Sequence, residues 1–339
     1  MMMIEQTKIE ALAGLLAEPK QVTIVSHINP DGDAIGSGVA WARMLIDRGH
    51  SVRFIVPNNY PMFLEWIEDI NLVHVYRVDP EGLNRFIADS DLIFCLDFNQ
   101  LQRLEELGEE IGKNEKAVRV LVDHHLEPPQ DFDLMISDTG SSSTAFLIYN
   151  ILEQLGWAGT MPYAVAEALY VGISTDTGNF TFGNLTADLF RAVAALVEKG
   201  VDTPKLNIAI YDNYSADRMR LMGYVLNEKM EFMPAYRAAY MTLNKEEQLK
   251  YNFQPGDSEG FVNLPLSIKN ISLTAFFIQT KDCIKVSLRS QGDIDVNMLA
   301  RKYFNGGGHK NAAGGKFFDS MESAVQTFKK AVQTELKQS

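Results

Sequence analysis

An apolar run that ends in one carboxylate and two imidazoles, Val120-Leu121-Val122-Asp123-His124-His125, is the stretch of this sequence richest in chemistry. Imidazole and carboxylate together suit divalent transition metals. A buried strand in an open α/β sheet delivers whatever follows its carboxyl end into the crevice where such sheets bind ligands. Three other stretches repeat the arrangement. Val22 to Ser26 runs into HINPDGDAIGSG, which gathers His27, Asp31 and Asp33 in a turn punctuated by Pro30 and Gly32. The run Asp91 to Leu96 ends at Asp97, and the small-residue helix AVAEALYVGIST ends at Asp176. Taken singly, each has an ordinary reading as a turn, a helix cap or a solvated histidine pair. Taken together, His27, Asp31, Asp33, Asp97, Asp123, His124, His125 and Asp176 match a dinuclear site. Two cations there need a bridging carboxylate with N/O ligands on either side, and such a pair clamps both oxygens of a phosphoryl transfer.

The elements that must position these residues alternate strand and helix. An opening amphipathic helix precedes the strand at Val22, a helix follows through Trp41 and Ile46, and Ser51 to Val56 is the next strand. Glu81 to Ala88 reads as a helix, Leu101 to Lys113 as a charged helix carrying Arg103, and Leu134 to Ile136 as a short strand. Ser141 to Thr144 either caps the helix Ala145 to Leu155 or lines a phosphate pocket; both readings stand. Helices over 187–199 and 204–210 complete an N-terminal domain over residues 1–213, with a mostly parallel sheet flanked by helices. A linker helix, YSADRMRLMGYVLNEKMEF, falls within 214–234 and is stopped by Pro234. A smaller α/β domain over 235–339 starts afresh with strands over 237–242, 271–279 and 284–289, a helix Val296 to Tyr303 and a last helix from Ser320. Between those helices lies NGGGHKNAAGG, whose glycines imply positive φ or close approach of the main chain to a ligand. With His309 and Lys310 in it and Arg289 on a nearby strand, this loop reads as an anion subsite.

Composition limits the alternatives. A chain of 339 residues with 46% hydrophobic and 22% charged residues is long enough for two cores. Its apolar stretches are strand-length and no leader pattern is visible, so a cytoplasmic protein is expected. Cys95 and Cys283, each in an apolar run, are expected to be buried and reduced. His50 and His74 read as structural. A net charge of -13 argues against coating long nucleic acid, a mode that needs many cations on phosphates. A small anionic substrate is still admissible where metal ions invert the local field.

These motifs resemble the DHH phosphoesterase family, named for a triplet like Asp123 to His125, and GGGHKNAAGG is similar to the signature of the accompanying DHHA1 domain. The likeness spans almost the whole chain. The nearest subgroup in length and layout is that of stand-alone bacterial nanoRNases and 3'-phosphoadenosine 5'-phosphate (pAp) phosphatases, the NrnA-like proteins. The resemblance implies that His27, Asp31 and Asp97 hold one cation while Asp33, Asp97, His124 and Asp176 hold the other. Mn²⁺ is then the first choice, with Mg²⁺ or Co²⁺ as substitutes. His125 would contact the scissile phosphate, Asp123 would orient the histidines, and the two metals would activate a bridging water. Arg289, His309 and the backbone of Gly306, Gly307 and Gly308 would take the nucleotide end, and Arg103 is available for a phosphate. Asn99 departs from the family, where a smaller residue is expected. The substrates implied are short single-stranded RNA of a few nucleotides and pAp, with linear or cyclic dinucleotides as the alternative and a non-catalytic nucleotide-binding protein as an alternative of another class. Long duplexes and membranes are not expected partners; the methionines of the linker helix, Met219, Met222, Met230 and Met233, leave a homodimer open.

Overall fold

The β-branched runs of the N-terminal part become a parallel sheet. In the computed structural model, which describes residues 4–128, 131–181, 183–212 and 214–336, the chain divides into two units, Met1–Asn213 and Tyr214–Ser339. The first contains β1 (Gln21–Val25), β2 (Ser51–Val56), β3 (Val73–Val75), β4 (Leu92–Leu96), β5 (Val118–Asp123) and β6 (Leu134–Ser137), all parallel, in the order β3-β2-β1-β4-β5-β6. The chain winds outward from β1 to β3, then returns to lay β4 on the other side of β1. Strand order therefore reverses between β1 and β4, the point where open α/β sheets bind ligands beyond their carboxyl ends.

Helices α1 (Gln6–Leu15), α2 (Gly32–Ile46), α3 (Pro80–Ala88), α4 (Glu106–Lys113), α5 (Thr144–Gln154), α6 (Tyr163–Asp176), α7 (Ala187–Glu198) and α8 (Thr203–Tyr211) cover this sheet. Alternate strand residues enter two cores. Ile24, Phe94, Leu96, Val120 and Val122 pack with α1, α2 and α5 to α8, whereas Val25, Ile93, Cys95 and Leu121 pack with α3 and α4. Burial on both faces explains why these strands are apolar throughout rather than alternating. Helices α2 and α6 are buried around most of their circumference, so their sequences are also apolar on every side. Glycine sets how closely they cross: a Cβ on Gly36 would collide with the Ala168 carbonyl and the backbone of Gly172. A Cβ on Gly172 would in turn lie 2.9 Å from Asp33 Oδ1.

The second unit holds a mixed sheet of β7 (Glu231–Met233), β8 (Ala238–Leu243), β9 (Leu273–Gln279), β10 (Ile284–Ser290), β11 (Gly307–Gly308) and β12 (Ala312–Phe317), in the order β11-β12-β10-β9-β8-β7. Among the described residues of this unit only β8 and β9 pair in parallel. Helices α9 (Ala216–Glu228) and α10 (Lys245–Lys250) precede β9, and α11 (Val296–Tyr303) and α12 (Met321–Glu335) follow β10. One face packs Ala275, Phe277, Val286 and Leu288 under α11 and α12; the other sets Met241, Phe276 and Ile278 against Leu221 and Val225 of α9. Among the described residues no helix is long and apolar enough to cross a membrane.

Several expected elements differ. The charged helix over 101–113 is two pieces, a 3-10 turn Leu101–Leu104 and α4, because Glu105 breaks it with φ 52° and ψ -130°. The helix expected to run to Phe232 stops at Glu228, and Glu231–Met233 joins the second sheet. The helix also packs on that sheet rather than standing as a linker. The loop NGGGHKNAAGG is largely a hairpin, β11 and β12, which weak β propensity conceals in a run of Gly and Ala. Cys95 is buried as expected, but Cys283 is only half-buried in the turn leading to β10, where its N–H donates to Thr280 Oγ1. Part of the loop EPPQDFD lies outside the described residues.

Candidate metal centre

Polar side chains stand at or just beyond the carboxyl ends of β1, β4 and β5. Asp97 follows β4 with φ 65°, a left-handed backbone that Asp tolerates better than most residues, and its N–H donates to Val122. His27 lies two residues beyond β1, Asp123 ends β5, and His124 and His125 come next. Asp31 is the N-cap of α2, its Oδ1 accepting from the N–H groups of Asp33 (3.0 Å) and Ala34 (3.1 Å). Asp33 stands in the first turn of α2 and Asp176 in the last residue of α6.

The side chains converge. His27 Nε2 is 3.5 Å from Asp97 Oδ2, while His124 Nε2 is 3.3 Å from Asp176 Oδ2, 3.4 Å from Asp97 Oδ1 and 3.8 Å from Asp33 Oδ2. Ligand atoms of His27, Asp31 and Asp97 form one group able to hold a cation, and those of Asp33, His124 and Asp176 form another. The two oxygens of Asp97 face opposite ways, Oδ2 to the first group and Oδ1 to the second. Both imidazoles are oriented from behind. His27 Nδ1–H donates to the Ile28 carbonyl (2.8 Å) and His124 Nδ1–H to the Ser141 carbonyl (3.3 Å), so each turns Nε2 toward the carboxylates.

His125 is used differently. A carboxylate only accepts and a guanidinium only donates. His125 therefore donates through Nδ1–H to Asp123 Oδ1 (2.7 Å) and accepts at Nε2 from Arg103 Nη1 (3.2 Å). Its Nε2 thus meets a guanidinium, whereas the Nε2 of His124 meets carboxylates. Arg103 is fixed at this place because its carbonyl accepts from the Ile28 N–H at 2.9 Å. Asn99 donates to the Leu126 carbonyl at 2.8 Å and so tethers the loop after the histidines.

Electrostatics divides the acids. Burial penalises the charge of both Asp33 and Asp97. Hydrogen bonds from His124 and His27 nevertheless hold Asp97 well below the usual carboxylate range, whereas Asp33, facing the charges of Asp97 and Asp176, is pushed well above it. Burial lowers the proton affinity of His124 and His27, but the surrounding carboxylates, Asp176 and Asp97 for the first and Asp97 and Asp31 for the second, outweigh it and raise both. A cluster that draws protons onto buried imidazoles in this way is built to receive positive charge.

One supporting residue carries no signal that spacing alone reveals. Asn58, beyond β2, accepts from Asn29 N–H (2.7 Å) and donates to Asn29 Oδ1 (3.1 Å), clamping the His27–Asp31 turn at its left-handed residue. Within the serine run Ser143 caps α5, its Oγ accepting from Phe146 N–H at 3.0 Å. The next free N–H groups of α5, those of Thr144 and Ala145, donate to Asp33 Oδ2 (2.6 Å) and Oδ1 (2.8 Å).

Arg289, Gly306, Gly307, Gly308 and His309 belong to the second unit. Arg289 pairs with Ala312 in the β10–β12 register, and His309 is at the hairpin turn, its N–H donating to the Ala312 carbonyl at 2.7 Å. Gly306 and Gly308 are required by the fold itself: a Cβ on either would strike the facing backbone of β12, and Gly308 has φ 146°. Gly307 has more room, its nearest neighbour being Asn297 Oδ1 at 3.5 Å from an added Cβ. Asn297 also accepts from the Gly308 N–H at 2.9 Å, a contact that sequence spacing does not reveal. Lys310 is paired with Asp293 at 3.0 Å.

Comparison with known proteins adds to this geometry. The model of the DHH family, N-terminal domain, matches residues 21–173, and that of the DHHA1 domain matches residues 236–338. The bifunctional oligoribonuclease and PAP phosphatase NrnA of Thermus thermophilus is 28% identical over 319 residues, covering 93% of this chain and 90% of that protein. The protein of the same description from Bacillus subtilis is 27% identical over 298 residues, covering 86% and 88%. Among solved structures, the crystal structure of an exopolyphosphatase-related protein from Bacteroides fragilis superposes with a TM-score of 0.94 at 38% identity, covering 98% of each chain.

Proposed function

The chain belongs to the DHH phosphoesterase family, with a DHH domain followed by a DHHA1 domain, and is a hydrolase; on that premise we propose that it cleaves short oligoribonucleotides to mononucleotides and converts pAp to AMP. The observation that carries this reading is the convergence of His27, Asp31, Asp33, Asp97, His124 and Asp176 at the switch point of the parallel sheet. The near full-length likeness to two oligoribonuclease and PAP phosphatase proteins supports the choice of substrate.

The donor set fits divalent cations. Two ligands held by one octahedral ion at ~2.1 Å stand ~3 Å apart or somewhat more, depending on the angle between them. The Nε2-to-carboxylate separations of 3.3 to 3.8 Å lie in that range. In this reading His27, Asp31 and Asp97 hold one cation, Asp33, Asp97, His124 and Asp176 the other, and Asp97 is shared. Imidazole and carboxylate without thiolate favour Mn²⁺, with Mg²⁺ or Co²⁺ as substitutes. Cations held there would supply Lewis acidity toward the phosphoryl oxygens and a water nucleophile near neutral pH.

The remaining residues act on the substrate. Asp123 fixes the ring of His125, and Arg103, lying against it, adds a permanent positive charge beside the acids. In this reading Arg103 supplies the donor to the scissile phosphate, where charge develops as the bond to the sugar oxygen breaks, and His125 lies beside that phosphate and holds the guanidinium in place. Donors fixed in advance in a water-poor site are effective there because they need no reorganisation. In the second unit Arg289, His309 and the backbone of Gly306 to Gly308 are assigned to the nucleotide portion. The test is a panel under one Mn²⁺ concentration: labelled di- to pentaribonucleotides, pAp, linear and cyclic dinucleotides, pyrophosphate and polyphosphate. Release of mononucleotides and AMP is expected. Hydrolysis confined to pyrophosphate or polyphosphate would overturn the assignment.

A further inference from the structure

We propose that Thr144 is a positioning residue that fixes the rotation of the shared carboxylate Asp97, and so decides whether its two oxygens reach two different cations. The inference rests on the two-cation reading above. Threonine inside a helix usually turns its hydroxyl back on the preceding turn. Thr175 and Thr177 do so in this chain, donating to the carbonyls of Val171 (2.9 Å) and Ile173 (2.7 Å). Thr144 is the first residue of α5 and has no helical turn behind it. Its Oγ1–H instead donates to Asp97 Oδ1 at 3.0 Å, and the residue is fully buried.

The bond matters because the terminal torsion of an aspartate is soft. Its carboxylate rotates broadly about the Cβ–Cγ bond, so an outside partner has to select the angle. Here the angle is chemically decisive, since Oδ1 faces His124 and Oδ2 faces His27. The backbone N–H of the same residue donates to Asp33 Oδ2 at 2.6 Å. Thr144 thus holds, through two different atoms, carboxylates delivered by α2 and by the end of β4. Its placement at the helix start explains both contacts: the N–H is unpaired within the helix, and the hydroxyl faces outward.

The test uses Mn²⁺ titration of the metal-stripped full chain by calorimetry, with Thr144→Val and Thr144→Ser compared. Valine keeps the methyl and puts a second methyl in place of the donor hydroxyl; serine keeps the donor and loses the methyl. Losing an outer partner of a ligand weakens metal binding by ~10–100-fold. Thr144→Val is therefore expected to weaken Mn²⁺ binding by ~10-fold or more, and Thr144→Ser to stay within ~3-fold of the parent. A packing role predicts the reverse order, and that result would overturn the proposal. Equal binding by all three proteins would overturn it as well. If Thr144→Val fails to give the parent far-ultraviolet spectrum, Thr144→Ala replaces it with the same expectation. A parent chain that binds no Mn²⁺ would instead remove the two-cation reading on which the proposal stands, so the two failures are distinguishable.

Discussion

His124→Ala removes an imidazole whose Nε2 lies 3.3, 3.4 and 3.8 Å from carboxylates of Asp176, Asp97 and Asp33. What is left is a buried group of acids without the nitrogen that faces them. Breaking a buried charged cluster by deleting one partner costs about 3–5 kcal/mol, so the metal-free variant should unfold at lower urea than the parent. If His124 is the direct ligand proposed above, its deletion should exceed the ~10–100-fold loss of metal affinity seen for outer partners. His125→Ala is a different perturbation. It breaks the 2.7 Å bond to Asp123 and the 3.2 Å contact with Arg103, neither of which is assigned to a cation. It thereby releases the Arg103 guanidinium, and losing one donor aimed at developing charge costs about 100–1,000-fold in rate. The assay pairs Mn²⁺ content per chain after equilibrium dialysis with steady-state hydrolysis of a dinucleotide at saturating Mn²⁺. His125→Ala should keep the parent metal content and lose rate, while His124→Ala should lose metal first. Equal loss of metal in both variants would refute the division of roles.

The helix crossing and the clamp on the first turn give two more expectations. Gly172→Ala would bring a Cβ against the Ala145 side chain and within 2.9 Å of Asp33 Oδ1; overpacking of about 1–3 kcal/mol should appear in urea unfolding, together with weaker Mn²⁺ binding, and unchanged values of both would show that the crossing has slack. Asn58→Ala deprives Asn29 of its two partners. A loss of about 1 kcal/mol and weaker Mn²⁺ binding are expected, with Asn58→Asp recovering part of the affinity because it keeps the acceptor for the Asn29 N–H; an affinity in Asn58→Ala equal to the parent's would show that the turn needs no clamp.

How far the sequence discloses this centre depends on what each residue does. Ligand candidates such as Asp97 and Asp123 are visible because a strand buried on both faces is apolar to its last residue, and a carboxylate there interrupts the pattern. His27, Asp31 and Asp33 are visible for the same reason, as polar residues crowded between a strand and a buried helix. Asn58 is not, because an asparagine after a strand is ordinary in composition, and the run Ser141 to Thr144 reads as a cap or a pocket without disclosing the bond from Thr144 to Asp97; both roles exist only through partners far away in the chain. The break at Glu105 was hidden because its charged neighbours satisfy a helical pattern up to a backbone angle that only tertiary contacts impose. In the second unit, Gly307–Gly308 and Ala312–Phe317 pair through their backbones, and side chains that small leave no alternation to read.

The two-cation arrangement is tested most directly by anomalous diffraction from crystals of the full chain grown with Mn²⁺. Two peaks in the first unit flanking Asp97 are expected, one bounded by His27 and Asp31 and the other by Asp33, His124 and Asp176. A single peak, or peaks bound by His125 in place of His124, would contradict it.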